Sequence, residues 1–219
     1  MPSMNPELLA SWSYAQTQVH EKDHVAQVRE RSADLGVRCI DPAGRSMLQV
    51  ICSLRQPRNL VEIGPGVGVA SLAMLEVLGP ESTLTAIESN LEHANAMRQS
   101  LREAGVPSAH ARIINERAEN VLSRLADHAY DLVLIDAGAE LLLEYVAEAK
   151  RLVGPRGVII INNAFDEHRL SKPAVRRTST VATRDALRLL REDPKMQTHL
   201  MPSEQGLFVA SVLPATRMR

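Results

Sequence analysis

Aromatic side chains are nearly missing: two Phe, one Trp and three Tyr make up 3% of the 219 residues. A core built from this chain must be aliphatic, and the 45% hydrophobic content is enough to supply one. Cysteine is equally sparse. Cys39 and Cys52 have neither metal-like spacing nor the number needed for a disulfide framework, so two reduced thiols and a cytoplasmic setting are expected. Neither sign of charge prevails, with 25 Lys and Arg against 26 Asp and Glu, a net charge of −1. That balance gives no bulk positive field for a nucleic-acid partner. The longest apolar run, Gly157 to Ile161, falls far short of the ~18 residues of a membrane span. Glu7 interrupts the N-terminus before a signal-peptide core could form. Neither a membrane nor a nucleic-acid partner is expected.

What is present is rhythm. Residues 5–56 read as helical, with starts near Pro6, Glu21 and Asp41-Pro42, the last an N-cap followed by proline at the first helical position. From residue 59, short apolar strands alternate with helices. The strands are Leu60 to Ile63, Thr83 to Ile87, Ala111 to Ile114, Asp131 to Ile135 and Gly157 to Ile161. Helices are expected from Ala70 to Leu78, from Leu91 with Ala94, Met97 and Leu101 on one face, from Glu119 to Ala126, from Glu140, and from Val181 to Arg191. Residues 164–180 read as a polar surface loop, and Thr198 to Met201 with Leu207 to Ala210 as a closing hairpin. Strands separated by helices imply a doubly wound, mostly parallel α/β sheet. Ligands of such sheets lie at the carboxyl ends of the strands.

The first such end is Val61-Glu62-Ile63-Gly64-Pro65-Gly66-Val67-Gly68-Val69-Ala70. Glycines allow positive φ and a close approach of backbone to ligand. Val69 stands where a dinucleotide fingerprint needs Gly or Ala, and no P-loop lysine follows. Glu62 would repel a pyrophosphate but could hold an ammonium group. Glu88, ending the second strand, is placed to grip a ribose with two free hydroxyls. An acid, a glycine loop and a second acid describe a nucleoside that carries a cationic amino acid, as S-adenosylmethionine does. A dinucleotide-dependent oxidoreductase is the competing reading on a similar sheet.

Asp41-Pro42-Ala43-Gly44, Val61 to Gly64, Arg117 to Leu122, Tyr130 to Ala137 and Asp193-Pro194 together resemble the class I O-methyltransferases related to catechol and caffeoyl-CoA methyltransferases. The likeness covers roughly residues 28–213 and is nearest to a bacterial, actinobacterial-type branch. It implies a Rossmann-like seven-stranded sheet of order 3-2-1-4-5-7-6 with strand 7 antiparallel. It also implies one methyltransferase domain over 1–219, an N-terminal helical cap over 1–56 and a donor-binding core over 57–213. A homodimer and a small-molecule acceptor follow from the same likeness. It assigns Ile40 to the methionyl part through its backbone, and Glu62 with Gly64, Pro65, Gly66 and Gly68 to the amino-acid end. Glu88 would bind the ribose, Ser89 and Ala118 the adenine, and Asp136 would sit beside the sulfonium. Ala70 stands where relatives often carry Ser, with Ser71 next to it.

The acceptor half departs from that pattern. Relatives use Mg²⁺, a hard ion that takes oxygen ligands, to lower the pKa of the acceptor hydroxyl. Their ligands are an Asp ending strand four and an Asp-Asn pair ending strand five. Here the candidates are Asp136, Asn162 and Asn163, so one carboxylate has become an amide and Mg²⁺ affinity should fall. The Asp-Lys pair expected after Asp136 is replaced by Ala137-Gly138-Ala139. Candidate replacements for the base are His168 and Asp166 in the loop after strand five, alongside Asp136 itself. Arg169, Lys172, Arg176 and Arg177 in that loop could draw in an anionic substrate. The expected function is methyl transfer to a hydroxyl of a small molecule. A non-catalytic S-adenosylmethionine-binding protein with a regulatory role is the alternative.

Overall fold

The computed structural model describes residues 5–214. Three helices come first: α1 (Pro6–Thr17), α2 (Asp23–Asp34) and α3 (Pro42–Arg55). The alternating part follows as β1 (Asn59–Ile63), α4 (Val69–Leu75), β2 (Thr83–Glu88), α5 (Leu91–Glu103), β3 (Ala111–Asn115), α6 (Ala118–Leu122), β4 (Tyr130–Ile135), α7 (Leu142–Leu152), β5 (Val153–Ile161), α8 (Thr178–Arg191), β6 (Met196–Met201) and β7 (Leu207–Val212). The seven strands form one sheet in the order β3-β2-β1-β4-β5-β7-β6. β7 pairs antiparallel with both β5 and β6, and the other pairings are parallel. This is the expected architecture.

Side chains of successive strand residues point to opposite faces, and here both faces are covered. Leu60, Leu84, Ala86, Leu132, Leu134 and Ile160 pack toward α2, α3, α4 and α5. Val61, Ile63, Val133, Ile135 and Ile159 pack toward α6, α7 and α8. Both layers are largely aliphatic, as the scarcity of aromatics requires. Phe208 is a buried exception on β7.

Four segments differ most from the sequence expectation. β5 starts at Val153 rather than Gly157. The strand runs through Gly154-Pro155 because a register shift opposite Tyr130 and Leu132, with Arg156 at φ +64°, absorbs the extra residues as a bulge. α8 starts at Thr178 rather than Val181, because the Ser179 and Thr180 hydroxyls are drawn in to bond Asp166. α4 ends at Leu75, three residues short of the expected Leu78, and α6 ends at Leu122, four short of the expected Ala126.

Two connections position the site. Asp41 caps α3 by accepting from Gly44 N–H at 2.8 Å, and Pro42 follows at the first helical position. Its other oxygen accepts from Gln205 N–H at 3.0 Å, which ties the β6–β7 turn to the start of α3. Arg29 on α2 donates to the Ile40 carbonyl at 2.7 Å while paired with Glu21 at 2.6 Å. The segment before α3 is thereby pinned over the carboxyl edge of the sheet.

Candidate active site

At the carboxyl ends of β1, β2 and β4 lies a cleft of about 500 Å³. That is within the range of a small-molecule site. Its wall takes Ile63, Gly64 and Gly66 from the β1 end, Ile87, Glu88 and Ser89 from the β2 end, and Asp136 to Gly138 from the β4 end. Arg117 to Glu119, His93, Leu141 and Tyr145 complete one side, and Val37 and Arg38 the other.

Gly64 sets the closeness of the two strand ends. Its φ is +77°, and a Cβ there would stand 2.8 Å from Ala137 Cα and 2.9 Å from the Asp136 carbonyl oxygen. Gly66, at φ +55°, leaves room for Val37, which a Cβ would approach to 2.8 Å. The glycine loop and the start of α5 each donate to Glu88: Gly66 N–H reaches Oε2 at 3.1 Å, and Asn90 N–H reaches Oε1 at 2.9 Å. Two backbone donors thus fix the carboxylate from behind and leave its remaining lone pairs turned to the cleft.

Of the residues assigned to a donor by sequence, Gly64, Gly66, Glu88, Ser89, Ala118 and Asp136 line the cleft. Ile40, Glu62, Pro65, Gly68 and Ala70 stand outside its wall. Ile40 is fully buried and its carbonyl is taken by Arg29. Glu62 is 0% exposed and points into the α4 layer, where Ser71 Oγ donates to its Oε2 at 2.5 Å and Oε1 has no partner. Burial pushes its carboxyl up to about 8; the Ser71 hydrogen bond opposes this, and the nearby Asp136 and Glu88 charges add to it.

Asp136 follows the last residue of β4. Burial raises its pKa to about 7, against the lowering effects of Asn162 and of the Arg38 charge. Asn162 Nδ2 donates to Asp136 Oδ1 at 2.8 Å and to Gln205 Oε1 at 3.2 Å. Gln205 Nε2 in turn donates to the Cys39 carbonyl at 2.9 Å. Turning the Asn162 amide over would set its oxygen against two acceptors, so the N–H groups must face them. Asn163, at φ +52°, accepts from Glu167 N–H at 3.2 Å. Two of the three candidate metal ligands, Asp136 and Asn162, thus meet, but through an amide N–H rather than through two oxygens. The third side chain is turned into the following loop. Among the described residues no three His, Cys, Asp or Glu side chains gather around a common point.

The loop after β5 does not bring its candidate bases to the cleft. Asp166 is 1% exposed and accepts from Arg169, Ser179 and Thr180. Burial pushes its pKa up, but the Arg169 guanidinium and the Thr180 hydroxyl outweigh that and hold it below the usual carboxylate range. It is a structural anchor. His168 is exposed and lines a separate groove with Trp12, Met47 and Phe165. Arg38 has no signal in the sequence, being a single cation between Val37 and Cys39. Only the chain fold carries it to the cleft.

A family model described as O-methyltransferase matches residues 15–213. A curated relative, the probable O-methyltransferase of Mycobacterium tuberculosis (strain H37Rv), is 36% identical over 199 residues, covering 91% of this chain and 89% of its own. Among solved structures, the O-methyltransferase TomG of Streptomyces achromogenes, in complex with SAM, superposes with a TM-score of 0.80 at 22% identity, over 96% of this chain and 99% of that one. An O-methyltransferase of Bacillus cereus, in complex with SAH, gives 0.81 at 20% identity, over 93% and 97%. At these identities the structural likeness is one of fold.

Proposed function

The chain belongs to the O-methyltransferase family, and we propose that it moves the methyl group of S-adenosylmethionine to a hydroxyl oxygen of a small-molecule acceptor. The observation that carries the choice of donor is Glu88. It ends β2 facing the cleft, with backbone donors from Gly66 and Asn90 fixing both oxygens and lone pairs left for a ribose diol. The close approach at Gly64 and Gly66 fits a ligand laid against backbone. SAM and SAH in the two solved relatives agree with the same choice. Ser89 and Ala118 are assigned to the adenine side, and Asp136 to the reacting end. Glu62, outside the wall, is held by Ser71 through one oxygen, and its other oxygen has no partner among the described residues. Membership of an enzyme family leaves the non-catalytic alternative without support.

The donor supplies a methyl group already activated as a sulfonium, so the protein must position the acceptor and take its proton. Asp136 is assigned to the proton. Its Oδ1 is held by Asn162, and its Oδ2 accepts no hydrogen bond among the described residues. A carboxyl near 7 is matched to abstraction at neutral pH. Mg²⁺ does not fit the donor set, so no step is assigned to it. Transfer is tested with labelled S-adenosylmethionine and a panel of catechols, phenols and hydroxyaromatic acids, after dialysis against EDTA. Labelled product, reduced at least a hundredfold in Asp136→Asn, is expected. Transfer that appears only on adding Mg²⁺ would overturn the metal-free assignment, and none under either condition would overturn the reaction.

We also propose a cytoplasmic homodimer. The supporting observation is α1, which buries none of its own residues yet exposes Leu8, Leu9, Trp12 and Tyr14. Light scattering at micromolar concentration should give about twice the 24.1 kDa chain mass, and Trp12→Glu should shift it toward one chain.

A further inference from the structure

Sheet order divides the cleft. Glu88 and Ser89 at the β2 end lie on one side, while Asp136 at the β4 end lies toward β5. Under the reading above, the nucleoside half of the donor takes the first side and the acceptor the second. Among the described residues, the basic side chains on the wall are Arg38, His93 and Arg117. His93 stands 3.8 Å from Glu88, and Arg117 is paired with Glu119 at 2.7 Å, both on the nucleoside side. The segment from Ala137 to Ala139 is uncharged. That leaves Arg38 for the acceptor end, where it pairs with Glu167 of the loop that follows β5, the neighbour of β4.

Among the described residues, the one acid paired with Arg38 is Glu167, with Nη1 to Oε1 at 3.1 Å. Both side chains are open to solvent, 43% and 57% exposed. Exposed pairs of this kind contribute little and exchange readily. Glu167 also has a second and closer partner, Arg169 at 2.5 Å. A left-handed turn, with φ of +46°, +51° and +62° at Asp166, Glu167 and His168, holds Glu167 out toward Arg38. The guanidinium at the acceptor end is thus held by a carboxylate that an incoming ligand can replace.

We propose that Arg38 selects the acceptor by binding a carboxylate that the acceptor carries beside the hydroxyl to be methylated, with Glu167 as the internal carboxylate it displaces. The substrate class is then the hydroxyaromatic acids rather than neutral phenols. A planar guanidinium suits two-point recognition of a carboxylate. The inference rests on the donor and reaction proposed above, and the experiment separates the two.

Full-length protein is first titrated with S-adenosylhomocysteine, then, saturated with it, with 2,3-dihydroxybenzoate and with catechol. The acid should bind at least ten times more tightly than catechol, the size of one charge-assisted hydrogen bond. In Arg38→Gln that advantage should vanish while the homocysteine derivative binds as before, and Arg38→Lys should restore part of it. Glu167→Gln removes the competitor and should strengthen acid binding several-fold. Equal binding of acid and catechol, or an advantage that survives in Arg38→Gln, would overturn the proposal. Failure of S-adenosylhomocysteine to bind at all would overturn the donor assignment beneath it.

Discussion

Glu62 is a buried acid with one hydrogen bond, from Ser71, and one oxygen without a partner among the described residues. Its carboxyl is pushed from 4.5 to about 8, first by burial. Between those values the folded protein keeps a proton that the unfolded chain releases, so stability must fall as pH rises through the window and level off above it. Each pH unit is worth about 1.4 kcal/mol, so the loss by pH 8 is at most about 5 kcal/mol. Glu62→Gln keeps the shape and the acceptor for Ser71 but cannot ionise. Urea denaturation from pH 5 to 8.5 should show the wild-type midpoint falling more steeply than that of the variant, with the gap widening toward pH 8. Parallel curves would refute the reasoning, because they would mean that Glu62 is ionised and compensated inside the fold.

Gly64→Ala adds a Cβ against the backbone of Asp136 and Ala137 at a positive φ. It should lose on the order of 1–2 kcal/mol from the conformation alone and weaken S-adenosylmethionine binding at least tenfold by calorimetry. Gln205→Ala leaves the Cys39 carbonyl without its donor and Asn162 without one acceptor. A loss of about 1–3 kcal/mol is expected in denaturant melts, together with slower methyl transfer, because Asp136 is held through Asn162. Asp166→Asn breaks the contacts to Arg169 and Thr180. The wild-type carboxyl lies below its usual range, so its contribution is present above the unfolded pKa and is lost as pH falls through the folded one. The variant should be less stable by roughly 2–3 kcal/mol at pH 7, and the gap should close in acid.

The strand rhythm and the Asp41-Pro42 helix start were legible because they are local. The sheet order followed from the family likeness, and Glu88 from its place at a strand end. Glu62 shows where that reasoning stops. Its place at the end of β1 suggested a ligand contact, but residue type does not announce that the carboxylate is buried against Ser71. Leu60 and Glu62 share a face, and that face is the α4 layer containing Ser71. Asp166 and His168 depend on a left-handed turn that residue type does not announce. Two of the contacts of Asp166 come from α8, and Gln205 in the β6–β7 turn meets Cys39 and Asp41, more than 160 residues away in sequence. Arg38 becomes meaningful only when α2 and α3 hang its segment over the end of β4.

The central claim is that the cleft at the ends of β1, β2 and β4 holds S-adenosylmethionine through Glu88. Calorimetric titration of wild type and Glu88→Ala with S-adenosylmethionine, each with and without Mg²⁺, addresses it most directly. One molecule per chain should bind, indifferent to Mg²⁺, and Glu88→Ala should lose at least tenfold in affinity while remaining folded. Binding of equal strength in Glu88→Ala, or no heat from folded wild-type protein, would contradict the assignment of the cleft.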